Sequence, residues 1–120
     1  MPDWWERALD LVFPPRCAVC AARGYLLCPV CAAAITYIQP PACPMCGRSM
    51  TRLGICPVCR AYPTALDGMV AATVFDGAVR ECIHALKYEG QRPYAATLAE
   101  IARPAFVALS KPDALVPVPL

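Results

Sequence analysis

Cysteine spacing is the feature of this sequence that carries the most chemistry. Eight of the nine cysteines form four CxxC pairs, which are Cys17 and Cys20, Cys28 and Cys31, Cys43 and Cys46, and Cys56 and Cys59. A CxxC turn directs two sulfur atoms at one ion, and a second turn completes the tetrahedral set of thiolates that zinc accepts in closed structural sites. The spacing therefore predicts two zinc ions, each held by four cysteines.

The order of the pairs leaves two arrangements of ligands open. Seven residues separate Cys20 from Cys28 and nine separate Cys46 from Cys56, and Pro40 and Pro41 divide the two halves. Loops of this length allow a β-hairpin to return the second pair, so we favour ligation in sequence, with one ion in each half. An interleaved arrangement, first pair with third and second with fourth, also satisfies the chemistry. Rubredoxin-type iron uses the same turns, and zinc is favoured because tandem ribbons usually serve as scaffolds.

The N-terminal sequence bears on whether these thiols form disulfides instead. Asp3, Glu6 and Asp10 interrupt the only apolar stretch before the first cysteine, so the start of the chain does not resemble a signal peptide. A run of 18 apolar residues is also missing, which predicts that the chain has no membrane span. We expect a cytoplasmic protein, where reducing conditions favour metal thiolates over disulfides.

Charge argues against a globally basic nucleic-acid binder. The formal net charge is +2, but eight thiolates and two zinc ions would change it to about −2. Acidic residues do not occur between Asp10 and Asp67, whereas that interval contains Arg16, Arg23, Arg48, Arg52 and Arg60. These arginines either offset the anionic zinc centres or form a local phosphate-binding patch.

Composition and periodicity divide the chain into three parts. Residues 1–15 contain an amphipathic helix over 3–12, which we expect to pack against the rest of the chain, with binding to a partner as the alternative. Residues 16–62 are poor in large aliphatic side chains, so zinc has to supply much of their folding energy. Residues 67–120 read as strand, helix, helix and strand, with the strands at 69–75 and 114–120 and the first helix at 78–89. The predicted fold is a small metal-stabilised double zinc ribbon of β-hairpins and knuckles, followed by the incomplete start of an α/β domain.

Four further residues that could bind a ligand or react lie on the predicted helix at 78–89. Arg80, His84 and Lys87 share one face at helical spacing, where they either contact an anion or form a solvated surface. Cys82 has no CxxC partner and falls on the apolar face, which favours a small core residue over a reactive thiol. We predict no catalytic residue in this chain.

Four features together resemble the start of a ComF-type competence protein. They are LVFPPRC at residues 11–17, the CxxC pairs, VRECIHALKYEG at residues 79–90 and LVPVPL from residue 115. In that family a double zinc ribbon precedes a type I phosphoribosyltransferase-like domain. The resemblance implies that residues 116–120 lead into a pyrophosphate-binding loop and that the residues holding the sugar phosphate of phosphoribosyl pyrophosphate lie beyond Leu120. This chain alone is then expected to be inactive as an enzyme.

The same resemblance implies a role in natural transformation. Family members act on incoming single-stranded DNA in the cytoplasm, beside a helicase-like competence protein. A different interpretation uses the zinc region alone, as a non-catalytic module that binds a protein or a nucleic acid while the following residues only pack. A phosphate loop beyond residue 120 would distinguish the two.

Overall fold

The computed structural model describes residues 3–109 and 111–119, and in these residues helix is the dominant secondary structure. The helices are α1 (Asp3–Val12), α2 (Pro29–Ala33), α3 (Pro57–Ala61), α4 (Gly77–Tyr88) and α5 (Tyr94–Val107). Helix α1 forms where the amphipathic helix was predicted, and α4 lies within one residue of its predicted bounds. The chain groups into two compact units, each of which contains one half of the cysteine region.

The first unit consists of the described residues up to Ile35 together with Phe75–Ala99. Its core is formed by Cys82, Ala85 and Tyr94, which are all at least 95% buried. Residues of the first cysteine hairpin, among them Leu26 and Leu27, pack against this core. The first cysteine half is therefore supported by apolar packing on helices outside the hairpin. Cys82 is confirmed as a core residue, since none of its surface is exposed.

The second unit consists of Thr36–Val74 and the described residues from Glu100 onward. Its buried cluster contains Cys43, Cys56 and Cys59, and the hydrophobic residues packed on this cluster include Met45 and Met50. The sulfur atoms that would hold a metal are thus also the centre of the core. Few other apolar residues in this half are buried, which agrees with a fold that depends on ligation.

Strand structure is much sparser than the sequence predicts. Within the described residues, β-pairing is limited to three isolated antiparallel bridges, of which Tyr37 with Thr73 is the one outside the cysteine hairpins. The predicted strand at 69–75 is thereby reduced to a single bridge, and residues 114–119 form no strand. A lone pair of short segments does not sustain a sheet, because a stable sheet needs further strands or a covering helix. The structure therefore does not contain the predicted α/β start.

Helix α1 differs from expectation in its packing. Trp4, Val12 and the following Phe13 are 64%, 68% and 76% exposed, respectively. The expected docking of this helix onto the rest of the chain is not observed. The predicted domain bounds, 1–15, 16–62 and 67–120, remain a prediction.

Candidate metal centres

The first cysteine cluster is built from one tight turn and one helix start. In the turn, the backbone amide of Ala21 donates to the carbonyl of Cys17 at 2.9 Å, and that of Cys17 donates to Ala22 at 2.9 Å. Ala21 closes this turn at φ +60°, in the left-handed region. Cys28 is the N-cap of α2, because its sulfur accepts the backbone amide of Cys31 while proline occupies the first turn.

The second cluster repeats this design. The amide of Gly47 donates to the carbonyl of Cys43 at 2.8 Å, and that of Cys43 donates to Arg48 at 2.9 Å. Gly47 adopts φ +74°, in the same left-handed region as Ala21 in the first turn. Cys56 is the N-cap of α3 in the same way, accepting the amide of Cys59. A sequence repeat of CxxC pairs has thus become a repeat of backbone structure.

Sulfur geometry in both clusters fits a tetrahedral zinc ion. In each group of four cysteines, all Sγ atoms lie within 4.8 Å of one another. The Sγ atoms of Cys20 and Cys28 are 3.6 Å apart, and those of Cys46 and Cys56 are 3.9 Å apart. A tetrahedron with Zn–S bonds of about 2.3 Å has edges of about 3.8 Å, so these separations suit the ion.

The grouping follows the chain. Cys17, Cys20, Cys28 and Cys31 form one cluster, and Cys43, Cys46, Cys56 and Cys59 form the other. The structure therefore brings the pairs together in sequence and not in the interleaved arrangement. Four sulfur ligands from the chain saturate a tetrahedral ion, so both clusters have the donor set of a closed structural site.

Backbone amides stabilise one thiolate at the base of each cluster. The amide of Cys28 donates to Cys17 Sγ at 3.4 Å, and the amide of Cys56 donates to Cys43 Sγ at the same distance. Burial opposes ionisation of Cys17, but the amides of Cys20 and Cys28 outweigh it and lower the pKa of Cys17 to about 6. The amide of Cys56 likewise lowers the pKa of Cys43 to about 6.

The last cysteine of each cluster behaves in the opposite sense. The hydrogen bond with the Cys28 side chain, together with burial, raises the pKa of Cys31 to about 12. Burial, followed by the Cys56 side chain, raises the pKa of Cys59 to about 12. Without metal, each cluster thus contains one cysteine whose thiolate form is stabilised and one whose thiol form is stabilised. A metal ion has to displace the remaining protons when it binds.

A cavity of about 440 Å³ lies beside the second cluster. It is lined by Arg48, Ser49, Met50, Thr51, Cys56 and Pro57. Among the described residues, the ion pairs are Arg80 with Glu81 and Arg103 with Glu100, both outside the cysteine region. Arg48 at this cavity is exposed, and among the described residues it forms no ion pair with a carboxylate.

Arg80, His84 and Lys87 are all exposed on α4, as their spacing predicts. Arg80 donates to Glu81 at 3.0 Å, and the His84 ring meets that of Tyr88 edge to face at 5.3 Å. Their proposed contact with an anion remains a prediction.

Tyr94 is a structural residue that sequence reasoning missed. It is 2% exposed, and its hydroxyl donates to the backbone carbonyl of Arg16 at 3.1 Å. Met45 and Met50, which cover the second cluster, were missed as well. The repeat does not reveal them, because the equivalent places in the first half are occupied by Val19 and Gly24.

Paired knuckles, short hairpins and two four-cysteine clusters define a double zinc ribbon, a class in which metal ligation replaces most of the hydrophobic core. Residues 8–61 match the family model described as the double zinc ribbon domain. This part of the chain is a zinc-binding double zinc ribbon domain, and both clusters are compatible with zinc. Neither the curated proteins nor the solved structures contain a significant match to the chain.

None of the helices in residues 3–109 and 111–119 combines the length and the apolar character needed to cross a bilayer.

Proposed function

We propose that this chain is a non-catalytic binding module whose two ribbons are each stiffened by one zinc ion. In this proposal Cys17, Cys20, Cys28 and Cys31 hold one ion, and Cys43, Cys46, Cys56 and Cys59 hold the other. The observation that carries it is the convergence of four sulfur atoms within 4.8 Å at each centre. A zinc ion saturated by four protein ligands leaves no position for water or substrate, which suits a scaffold better than catalysis.

Elemental analysis of reduced, freshly purified protein tests this role. We expect two zinc equivalents per chain and a colourless solution. Red absorbance from ferric thiolate would show that iron occupies the sites in place of zinc. Fewer than two metal equivalents would contradict the proposed pair of centres.

Contact with single-stranded nucleic acid is a second candidate function, favoured by two exposed arginines of the second ribbon, Arg48 and Arg52. Arg48 lines the cavity beside the second cluster and Arg52 is exposed nearby in sequence, while the described ribbon residues from 16 to 62 include no acidic side chain. Guanidinium groups without carboxylate partners are suited to phosphate contacts along a strand. The alternative is that these arginines only balance the charge of the zinc thiolates.

A salt series on oligonucleotide binding separates these alternatives. For single strands, log affinity falls with log salt by roughly 0.7 per phosphate contact. Arg48→Glu with Arg52→Glu should reduce the slope by about 1.4 in magnitude. The double variant Arg16→Glu with Arg23→Glu, which changes the net charge equally in the other ribbon, is the matched control. A strand-binding surface on the second ribbon would be contradicted if both double variants reduced the slope equally, or if Arg48→Glu with Arg52→Glu left the slope unchanged.

The resemblance to ComF-type proteins extends this proposal to DNA uptake. It suggests a cytoplasmic protein that handles incoming single-stranded DNA beside a helicase-like competence protein and is linked to a phosphoribosyl pyrophosphate-binding domain. Its support is the sequence segments named above, including the one that folds as α4. Transformation frequency in a deletion strain of the source organism tests the uptake role. Unchanged transformation would contradict it.

A further inference from the structure

The two zinc centres share a backbone design but differ in how well their sulfur atoms are covered. Cys20, in the first turn of the earlier cluster, is exposed, whereas the equivalent Cys46 is half-buried. The first centre is therefore the more accessible of the two to a reagent in solution.

Two substitutions within the repeat explain this difference. Met45 stands between the cysteines of the later turn and packs on the buried cluster, while its counterpart Val19 is 46% exposed. Met50 also packs on that cluster. Its counterpart is Gly24, which has no side chain to cover the sulfur atoms. The equivalence of these last two positions is shown by their amides, which donate to Pro41 at 2.9 Å and to Pro15 at 2.8 Å.

We propose that the first centre is a redox-labile zinc site that releases its ion on oxidation by a peroxide, while the second centre retains its ion as the stable scaffold. The proposal rests on the zinc-loaded state proposed above. It adds a regulatory property, since a chain that loses one ion would unfold one ribbon and keep the other.

The chemistry involves the two sulfur atoms of Cys20 and Cys28, which lie 3.6 Å apart. The exposed Cys20 thiolate attacks one oxygen of hydrogen peroxide, the O–O bond breaks, and sulfenic acid and hydroxide form. The Cys28 thiolate then attacks the sulfenic sulfur, forming the disulfide and expelling a second hydroxide. Two sulfur atoms are oxidised by two electrons in total and the peroxide is reduced by two. Zinc leaves as Zn²⁺ because only two thiolates remain to hold it.

Stepwise oxidation of the zinc-loaded chain tests this inference. Reduced protein is first shown to contain two zinc equivalents, so that failure of the zinc assignment is recognised before any oxidant is added. Hydrogen peroxide is then added in steps to a total of two molar equivalents per chain, while a chromogenic chelator reports zinc release and peptide mass spectrometry maps disulfides. We expect loss of one zinc equivalent together with a Cys20–Cys28 disulfide, and reduced cysteines throughout residues 43–59. Release of both ions together, or a first disulfide within residues 43–59, would overturn the proposal.

Exchange of the covering residues provides a second test. Met45→Val with Met50→Gly gives the later ribbon the side chains of the earlier one, and we expect this variant to lose both zinc equivalents at the same peroxide dose. Val58→Ala is the matched control, because Val58 lies between the other two ligands of that ribbon and is 52% exposed. It should keep the wild-type order of release. If the double variant releases only its first ion, the methionines do not protect the second centre. If the double variant fails to bind zinc, the order of zinc release in the wild-type chain still decides the proposal.

Discussion

The two ribbons share the same turns, the same N-capping cysteines and the same sulfur geometry, yet they are stabilised by different surroundings. The first packs on a core formed by Cys82, Ala85 and Tyr94, which lie in α4 and α5. The second has its own ligands Cys43 and Cys56 at the centre of its buried cluster. The comparison shows that the same arrangement of metal ligands can be supported by apolar packing on neighbouring helices, as in the first ribbon, or by the metal alone, as in the second.

Removal of zinc is the perturbation expected to have the largest effect. Because a structural zinc supplies on the order of 10–16 kcal/mol in small peptides, a strong chelator should unfold both ribbons. The second ribbon should lose all protected amides, whereas residual protection should persist in α4, which has apolar packing of its own. Hydrogen exchange with and without chelator measures this difference. Protection in residues 43–59 that survives the chelator would contradict the dependence of the second ribbon on metal.

Loss of Tyr94 should damage the first ribbon selectively. Tyr94 is 2% exposed, so Tyr94→Ala removes a buried aromatic ring and should lower the free energy of unfolding by about 3–5 kcal/mol. Tyr94→Phe keeps the ring and loses only the hydrogen bond to the carbonyl of Arg16, with an expected loss of about 1 kcal/mol. Urea unfolding of zinc-loaded protein measures both values, and zinc analysis checks that the second centre stays filled. Equal effects of the two variants would show that the ring does not support the first ribbon.

The equivalent turn positions Ala21 and Gly47 allow a smaller and more specific test. Both have positive φ, but an added Cβ at Gly47 would lie 2.8 Å from the backbone nitrogen of Ala71. Gly47→Ala should therefore destabilise the zinc-loaded protein by about 2 kcal/mol, since it combines left-handed strain with a backbone clash. Ala21→Gly relieves strain at a cost in chain entropy, so its effect should stay within about 1 kcal/mol. Urea midpoints measure both, and a neutral Gly47→Ala would argue against the close approach to Ala71.

Proton release on zinc binding should differ little between the two ribbons. The pKa values of Cys31 and Cys59, about 12 without metal, mean that each centre gives up at least one proton when zinc binds at pH 7. The pKa values of Cys17 and Cys43, about 6, mean that these sulfurs add to the release only as the pH falls below that value. Zinc affinity should therefore fall with decreasing pH, and more steeply below pH 6. Calorimetry in buffers of different ionisation enthalpy measures the proton count, and a count that is independent of pH would contradict this order.

Local patterns predicted the four CxxC turns and favoured the observed grouping of ligands, and they also predicted α1 and α4. The CxxC spacing indicates which sulfur atoms share a turn, and the apolar spacing from Val79 to Leu86 is enough to predict α4. The strand at 69–75 was predicted from composition, but a strand also needs a partner, and Tyr37 with Thr73 is the one bridge formed there in the described chain. Burial of Tyr94 depends on a contact with Arg16, 78 positions away, and local periodicity does not contain that information.

Native mass spectrometry of a quadruple variant tests the central assignment most directly. In this variant Cys17, Cys20, Cys28 and Cys31 are all replaced by serine, which removes every ligand of the first centre and none of the second. The account predicts two zinc ions in the wild-type chain and one in the variant. An interleaved arrangement would lose half the ligands of both sites, so a variant chain with no bound zinc would contradict the account.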